Sequence, residues 1–155
     1  MIIKDTNLKG LRELLDNVRN MGKDKVFVGV PASSNTIHEG GINMATLAAV
    51  HEFGSSKRNI PERSFLRSAI IEGKDKINAE VAKGVQAYLS QGKQIDLMFY
   101  DRIGLLASNL VKDKIHRGPF VRLSDATVAR RIKNTDRPVN DTGALRQSIT
   151  WVVRE

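Results

Sequence analysis

Only two runs in this sequence read as β-strands. The first is VFVGV, Val26 to Val30, a short buried-type run that Pro31 stops. The second is Ser148 to Val153, where Ile149, Trp151 and Val153 alternate onto one face. Most of the chain between them has helical spacing or turn chemistry. The order helix, strand, several helices, strand predicts an α+β fold: several helices packed on a small, mostly antiparallel sheet. Two strands make a poor sheet by themselves. The pattern therefore predicts either further strands within the loops or a sheet completed by neighbouring subunits.

The helical runs come next. Asp5 or Thr6 can cap a first helix in which Leu8, Leu11, Leu15 and Val18 share a face, with Gly22 at its end. Ile42 to Phe53 reads as a helix stopped by Gly54. Pro61 fits the first turn of the next helix, where its missing N–H costs little. Leu66, Ile70, Ile77, Val81, Val85 and Tyr88 or Leu89 give that helix one long stripe, with Gly73 and Gly84 as candidate bends. After a break at Gly92, Phe99, Ile103, Leu106 and Leu110 mark another helix. Ser124 can cap a short one to about Lys133, and a turn at Asp141 to Gly143 precedes the last strand. The polar stretches near 31–41 and 54–60 are expected to be mobile loops.

A length of 155 residues suits one domain spanning 1–155 and allows a core without covalent staples. The absence of cysteine excludes disulfides, thiol catalysis and thiolate metal sites. The opening MIIKDTNLKG lacks the pattern of a secretory leader, and no apolar run approaches bilayer length, so no membrane partner is expected. The formal charge of +8 points to solubility, to nucleic acid or to an acidic protein. With aromatics at 5%, stacking platforms for single strands are scarce.

Catalysis finds little support. His51-Glu52 would begin a metalloprotease helix only with a second histidine one turn on, and position 55 is serine. His38-Glu39 also lacks a partner, and His116 sits in a turn. Asp141-Thr142-Gly143 reads as a cap, and the dispersed glycines form no phosphate loop. No catalytic, metal or cofactor residue is assigned. A hydrolase built on His51 and Glu52 ranks last among the functional alternatives.

A nucleic-acid reading centres on LSDATVARRIKN, where Ser124 could cap a recognition helix carrying Thr127, Arg130 and Arg131. The helix that should precede it is interrupted by Gly118-Pro119. What remains is a basic surface of Lys112, Lys114, Arg117, Arg122, Arg130, Arg131, Lys133 and Arg137. A DNA-binding regulatory or architectural protein using residues 112–137 is therefore the alternative function.

Four motifs occur in a particular order: Ala48-Ala49-Val50-His51-Glu52-Phe53-Gly54; Ile60-Pro61-Glu62-Arg63-Ser64-Phe65; Leu123 to Thr127; and Asp141-Thr142-Gly143-Ala144-Leu145-Arg146-Gln147-Ser148-Ile149. Together they resemble the tail-completion, or head–tail joining, proteins of tailed bacteriophages, also labelled virion morphogenesis proteins. The resemblance implies a structural, non-catalytic subunit of a ring, commonly six-fold, at the neck or head-proximal end of the tail. It implies assembly in the bacterial host cytoplasm. The implied partners are further copies of itself, head connector or stopper proteins, and tail terminator or tail tube proteins, with double-stranded DNA passing through.

The residues expected to serve assembly are His51, Glu52, Phe53, Lys57, Arg58, Ile60, Pro61, Arg63, Phe65 and Arg67 in the first region. Asp141, Thr142, Gly143, Arg146 and Ser148 are expected to do so in the second. Phe53, Ile60 and Phe65 could equally pack their own core. Lys57, Arg58, Arg63 and Arg67 could pair with carboxylates of a neighbour.

Overall fold

The computed structural model describes residues 5–20, 23–37, 41–91, 96–129, 138–139 and 143–155. Its architecture is α+β, with helices packed on a small antiparallel sheet. The two strand-type runs pair with each other: β1, Lys25–Gly29, lies antiparallel to β2, Thr150–Arg154. Phe27 stands opposite Val152 and Val28 opposite Trp151. No third strand joins them among the described residues. The only other pairings there are the isolated bridges Ile37–Asn43 and Ser55–Ile60.

The sheet is backed by α5, Leu97–Arg117. Asp96 caps this helix, its Oδ1 accepting from the Phe99 N–H at 3.1 Å. The indole of Trp151 lies against Gly104 so closely that a Cβ there would collide with it, and Nε1 donates to Asp101 Oδ1 at 2.9 Å. Along α5 the fully buried positions are Phe99, Tyr100, Gly104, Ala107, Ser108, Val111 and Ile115. Of the expected stripe, Ile103, Leu106 and Leu110 are only half-buried. The reason is that α5 packs on several elements at once: the sheet, and also α3, Leu66–Glu72, and α4, Lys74–Gln91. Small residues let partners approach closely, and hydrophobicity alone does not register them.

The stripe expected as one long helix is divided at Gly73, between α3 and α4. A side chain at Gly73 would strike Leu110, and one at Gly84 would strike Phe99. These glycines are therefore crossing points with α5 as well as weak helix formers. Pro61 does not begin a helix. Residues 61–65 are non-helical and α3 starts at Leu66.

The main core joins Met44, Phe65, Ala69, Val111, Ile115, Val139, Leu145 and Ile149, of which Phe65 and Ile149 are each 1% exposed. These residues come from α2 (Met44–Phe53), α3, α5, α7 (Ala144–Ser148) and the turns between them. Helix α1, Asp5–Asn20, packs only sparsely on the rest of the chain. Its Leu8, Leu11, Leu15 and Val18 are all about half-exposed. The expected stop at Gly22 lies outside the described residues. No helix among the described residues is long and apolar enough to cross a membrane.

Candidate functional site

Two of the four motifs fold into one junction between α2 and α3. Asn43 caps α2, its Oδ1 accepting from the Thr46 N–H at 2.8 Å. Gly54 ends the helix at φ +71° and ψ −175°, a conformation open essentially to glycine alone. A Cβ there would also lie 2.8 Å from both Glu62 N and Ile60 O.

The chain then reverses in a hairpin. Ser55 and Ile60 exchange backbone hydrogen bonds of 2.8 and 2.9 Å around a tight turn at Ser56–Arg58. Asn59 adopts a left-handed conformation, φ +51°. The returning strand is tied to α2, Arg63 N–H donating to His51 O at 2.8 Å.

Glu52 organises the junction. It is 3% exposed, and its carboxylate is the cap of α3. Oε2 accepts from the N–H groups of Phe65 (2.9 Å) and Leu66 (2.8 Å). Oε1 accepts from the Ser64 hydroxyl (2.8 Å), the Arg67 N–H (3.1 Å) and Arg67 Nε (2.9 Å). A carboxylate from the end of α2 thus supplies the acceptors that α3 lacks locally, and this sets the start of α3 at Leu66. Burial by itself would raise the Glu52 carboxyl. The hydrogen bonds from the Leu66 N–H, the Arg67 side chain, the Ser64 hydroxyl and the Arg67 N–H together outweigh it, and its pKa is lowered. Beside it, the bond to Glu52 is the main reason the Arg67 guanidinium is shifted upward.

Burial separates the residues that build this junction from those it displays. Glu52, Arg63 and Phe65 were expected at an interface but lie inside the chain, at 3%, 5% and 1% exposure. Phe65 fills the main core. Arg63 Nε donates to Val121 O at 3.1 Å, fastening the returning strand to the segment after α5. His51 and Ile60 are half-buried. Phe53, Lys57, Arg58, Pro61 and Arg67 are exposed, Phe53 at 64%. The Arg67 guanidinium lies 4.9 Å from the centre of the Phe53 ring, and its Nη2 binds Glu62 Oε1 at 2.7 Å.

The terminal motif reaches the same core. Gly143 stands at φ +82° before α7, which explains glycine at that position. Leu145 and Ile149 are buried, and α7 packs on α2. Arg146 is exposed. Ser148, expected to be available to a partner, is instead 6% exposed, and its hydroxyl donates to Leu145 O at 2.8 Å. Its carbonyl accepts from the Ser34 hydroxyl, also at 2.8 Å. Asp141 and Thr142 lie outside the described residues.

In the basic region, several cations have carboxylate partners. Lys114 pairs with Glu72 at 2.6 Å, Arg117 with Asp113 at 3.0 Å and Arg122 with Asp125 at 3.8 Å. Lys112 is half-buried, and Arg130, Arg131, Lys133 and Arg137 lie outside the described residues. A cleft of about 390 Å³ beside Gly73 is lined by Glu72, Lys76, Asp113, Lys114 and Arg117, a mixture of both signs. Residues 118–124 are non-helical, so α5 and α6 (Asp125–Ala129) are not joined by the tight turn of a helix-turn-helix. Ser124 does begin α6, its hydroxyl 2.8 Å from that of Thr127. The expected continuation to Lys133 falls outside the described residues. Among the described residues, no group of three or more histidine, cysteine, aspartate or glutamate side chains is placed to hold a metal ion.

Sequence reasoning missed the inward role of Glu52 and Arg63 and the Trp151–Asp101 bond. One signal was legible: Ser64-Phe65-Leu66-Arg67 opens a helix whose cap must come from somewhere, and Glu52 is the nearest preceding carboxylate outside the hairpin and its return. Compared with known protein families, curated proteins and solved structures, the chain matches none.

Proposed function

We propose that this chain is a structural virion protein at the head–tail interface of a tailed bacteriophage, forming an oligomeric ring that lets the tail attach to the DNA-filled head. The observation that carries this is the convergence of the resembling motifs. The segments 48–54 and 60–65 form one junction through Glu52, and the segment 143–149 packs on the same core through Leu145 and Ile149. Together they build a hydrogen-bonded junction that leaves Phe53 and Arg67 exposed. An exposed aromatic beside an arginine is the composition of interface anchors. In this role the protein binds copies of itself and the neighbouring connector, terminator or tube proteins, and catalyses nothing.

The test is electron microscopy of lysates from an otherwise intact phage or prophage lacking this chain. Full heads beside complete, unattached tails are the expected result. Normal infectious particles would overturn the proposal.

A further inference from the structure

Several exposed cations make no ion pair among the described residues, Lys23, Lys25, Lys74, Arg146 and Arg154 among them, so ion pairing alone does not locate the formal charge of +8. Lys114, Arg117 and Arg122 each have a carboxylate partner. The hairpin tip stands apart in carrying two such cations side by side. Lys57 and Arg58 are exposed and make no ion pair among the described residues. Residues 54–60 contain no carboxylate. The two nearest in sequence are both engaged: Glu52 is buried beneath α3, and Glu62 is held by Arg67.

The tip is also polar throughout. Ser56, Lys57, Arg58 and Asn59 are all exposed and each carries a hydrogen-bond donor, with the Ser56 hydroxyl and the Asn59 amide able to accept as well. None offers the apolar anchor around which a protein docking site is usually organised. Phosphate oxygens need only such donors. The backbone bonds between Ser55 and Ile60 close the hairpin, and the side chains of its tip are exposed beyond them.

We infer that the 55–60 hairpin is a contact element for the phosphodiester backbone of duplex DNA, with Lys57 and Arg58 neutralising phosphates and Ser56 and Asn59 donating to their oxygens. Contact of this kind is independent of base sequence. A duplex is favoured over a single strand because the tip carries no aromatic side chain for bases to stack on. The inference does not depend on the protein being a virion subunit.

The experiment measures binding of the full chain to a fluorescent random-sequence duplex by anisotropy, across a salt series. Light scattering on the same samples records the oligomeric state, so a failure to form rings is read separately. The wild-type chain should bind with a negative slope of log affinity against log salt. Lys57→Ala with Arg58→Ala should flatten that slope by about 2 per bound chain, since each lost phosphate contact removes roughly 0.9.

The charge-matched pair Lys83→Ala with Arg102→Ala, exposed cations on α4 and α5 that face Glu80, should leave the slope unchanged. Equal melting temperatures would confirm that both variants fold. Three results would overturn the inference: no duplex binding by the wild-type chain, an unchanged slope in the tip variant, or an equal loss in both variants. An unchanged slope combined with loss of particle assembly would assign the tip to an acidic protein surface instead.

Discussion

Helix α1 and the segment from Glu52 to Arg67 each span 16 residues, yet they are held in opposite ways. In α1 the leucines repeat at helical spacing, and a helix forms. Its apolar face is about half-exposed and it touches little else. The Glu52 segment is polar and broken by glycine and proline, and between the end of α2 and the start of α3 its only helical turn is Ser56–Arg58. It is nevertheless bound at almost every step: the Ser55–Ile60 pair, the bond from Arg63 to His51, and five hydrogen bonds into one carboxylate. Periodicity predicts local conformation, whereas tertiary fixation depends on where acceptors and donors meet. In this chain the polar segment is the better anchored of the two.

The substitution that tests this contrast hardest is Glu52→Ala. It leaves the N–H groups of Phe65 and Leu66 without their acceptor in a buried site. The expected cost is about 3 kcal/mol, a typical figure for removing one partner of a buried charged network. In a domain of this size that lowers the melting temperature by roughly 6–12 °C, measurable by calorimetry. A loss of under 2 °C would mean the junction is not anchored through this carboxylate.

Gly54→Ala should cost about 2–3 kcal/mol, combining a backbone conformation reserved for glycine with a clash against the returning strand. Urea denaturation would measure it. Gly104→Ala should cost about 1–3 kcal/mol by overpacking against Trp151, and this extra cost should largely disappear in a Trp151→Ala background, which removes the Cγ and Cδ1 atoms it would strike, as a double-mutant cycle would measure.

Acid gives a graded version of the first test. The folded-state pKa of Glu52 is lowered, so the protonated form is favoured in the unfolded chain. Its stabilisation is complete above the ordinary carboxylate range and is lost as pH falls through the lower folded-state value. Stability measured against pH should therefore decline more steeply on the acid side for the wild type than for Glu52→Gln. Parallel curves would count against the network.

The smallest effect is expected in α1. Leu11→Ser should change the stability of the isolated chain by less than about 0.5 kcal/mol, because little is packed on that face. A loss above about 1 kcal/mol would show that α1 is covered in solution, and the contrast between the two regions would fail.

Element types were largely legible in the sequence. The two strands, the stop at Gly54 and the helix through Phe99 follow from alternation, glycine and apolar spacing, which act over a few residues. The terminal strand was read in type but two residues early: Ser148 ends α7 and Ile149 precedes β2, which begins at Thr150, while Trp151 and Val153 do lie on one side of it. The start of α3 was misread because proline after a basic loop is a good local signal for a helix start, whereas the actual cap comes from Glu52, 14 residues before Leu66. The buried line of α5 was misread for a related reason: Gly104, Ala107 and Ser108 are buried for their size, which hydrophobicity does not score.

The sequence by itself determined what was local: an α+β chain, its two strands, a strongly amphipathic first helix and a basic loop between two helices. Only the tertiary structure decided that the two distant strands pair with each other, that Glu52, Arg63 and Phe65 face inward, and that Phe53, Lys57, Arg58 and Arg67 are what the junction presents. The physical reason is range. Helix and strand patterns arise from contacts within a turn or a pleat. The burial of a charge depends on whether distant backbone donors converge on it, and that geometry exists only once the chain has closed.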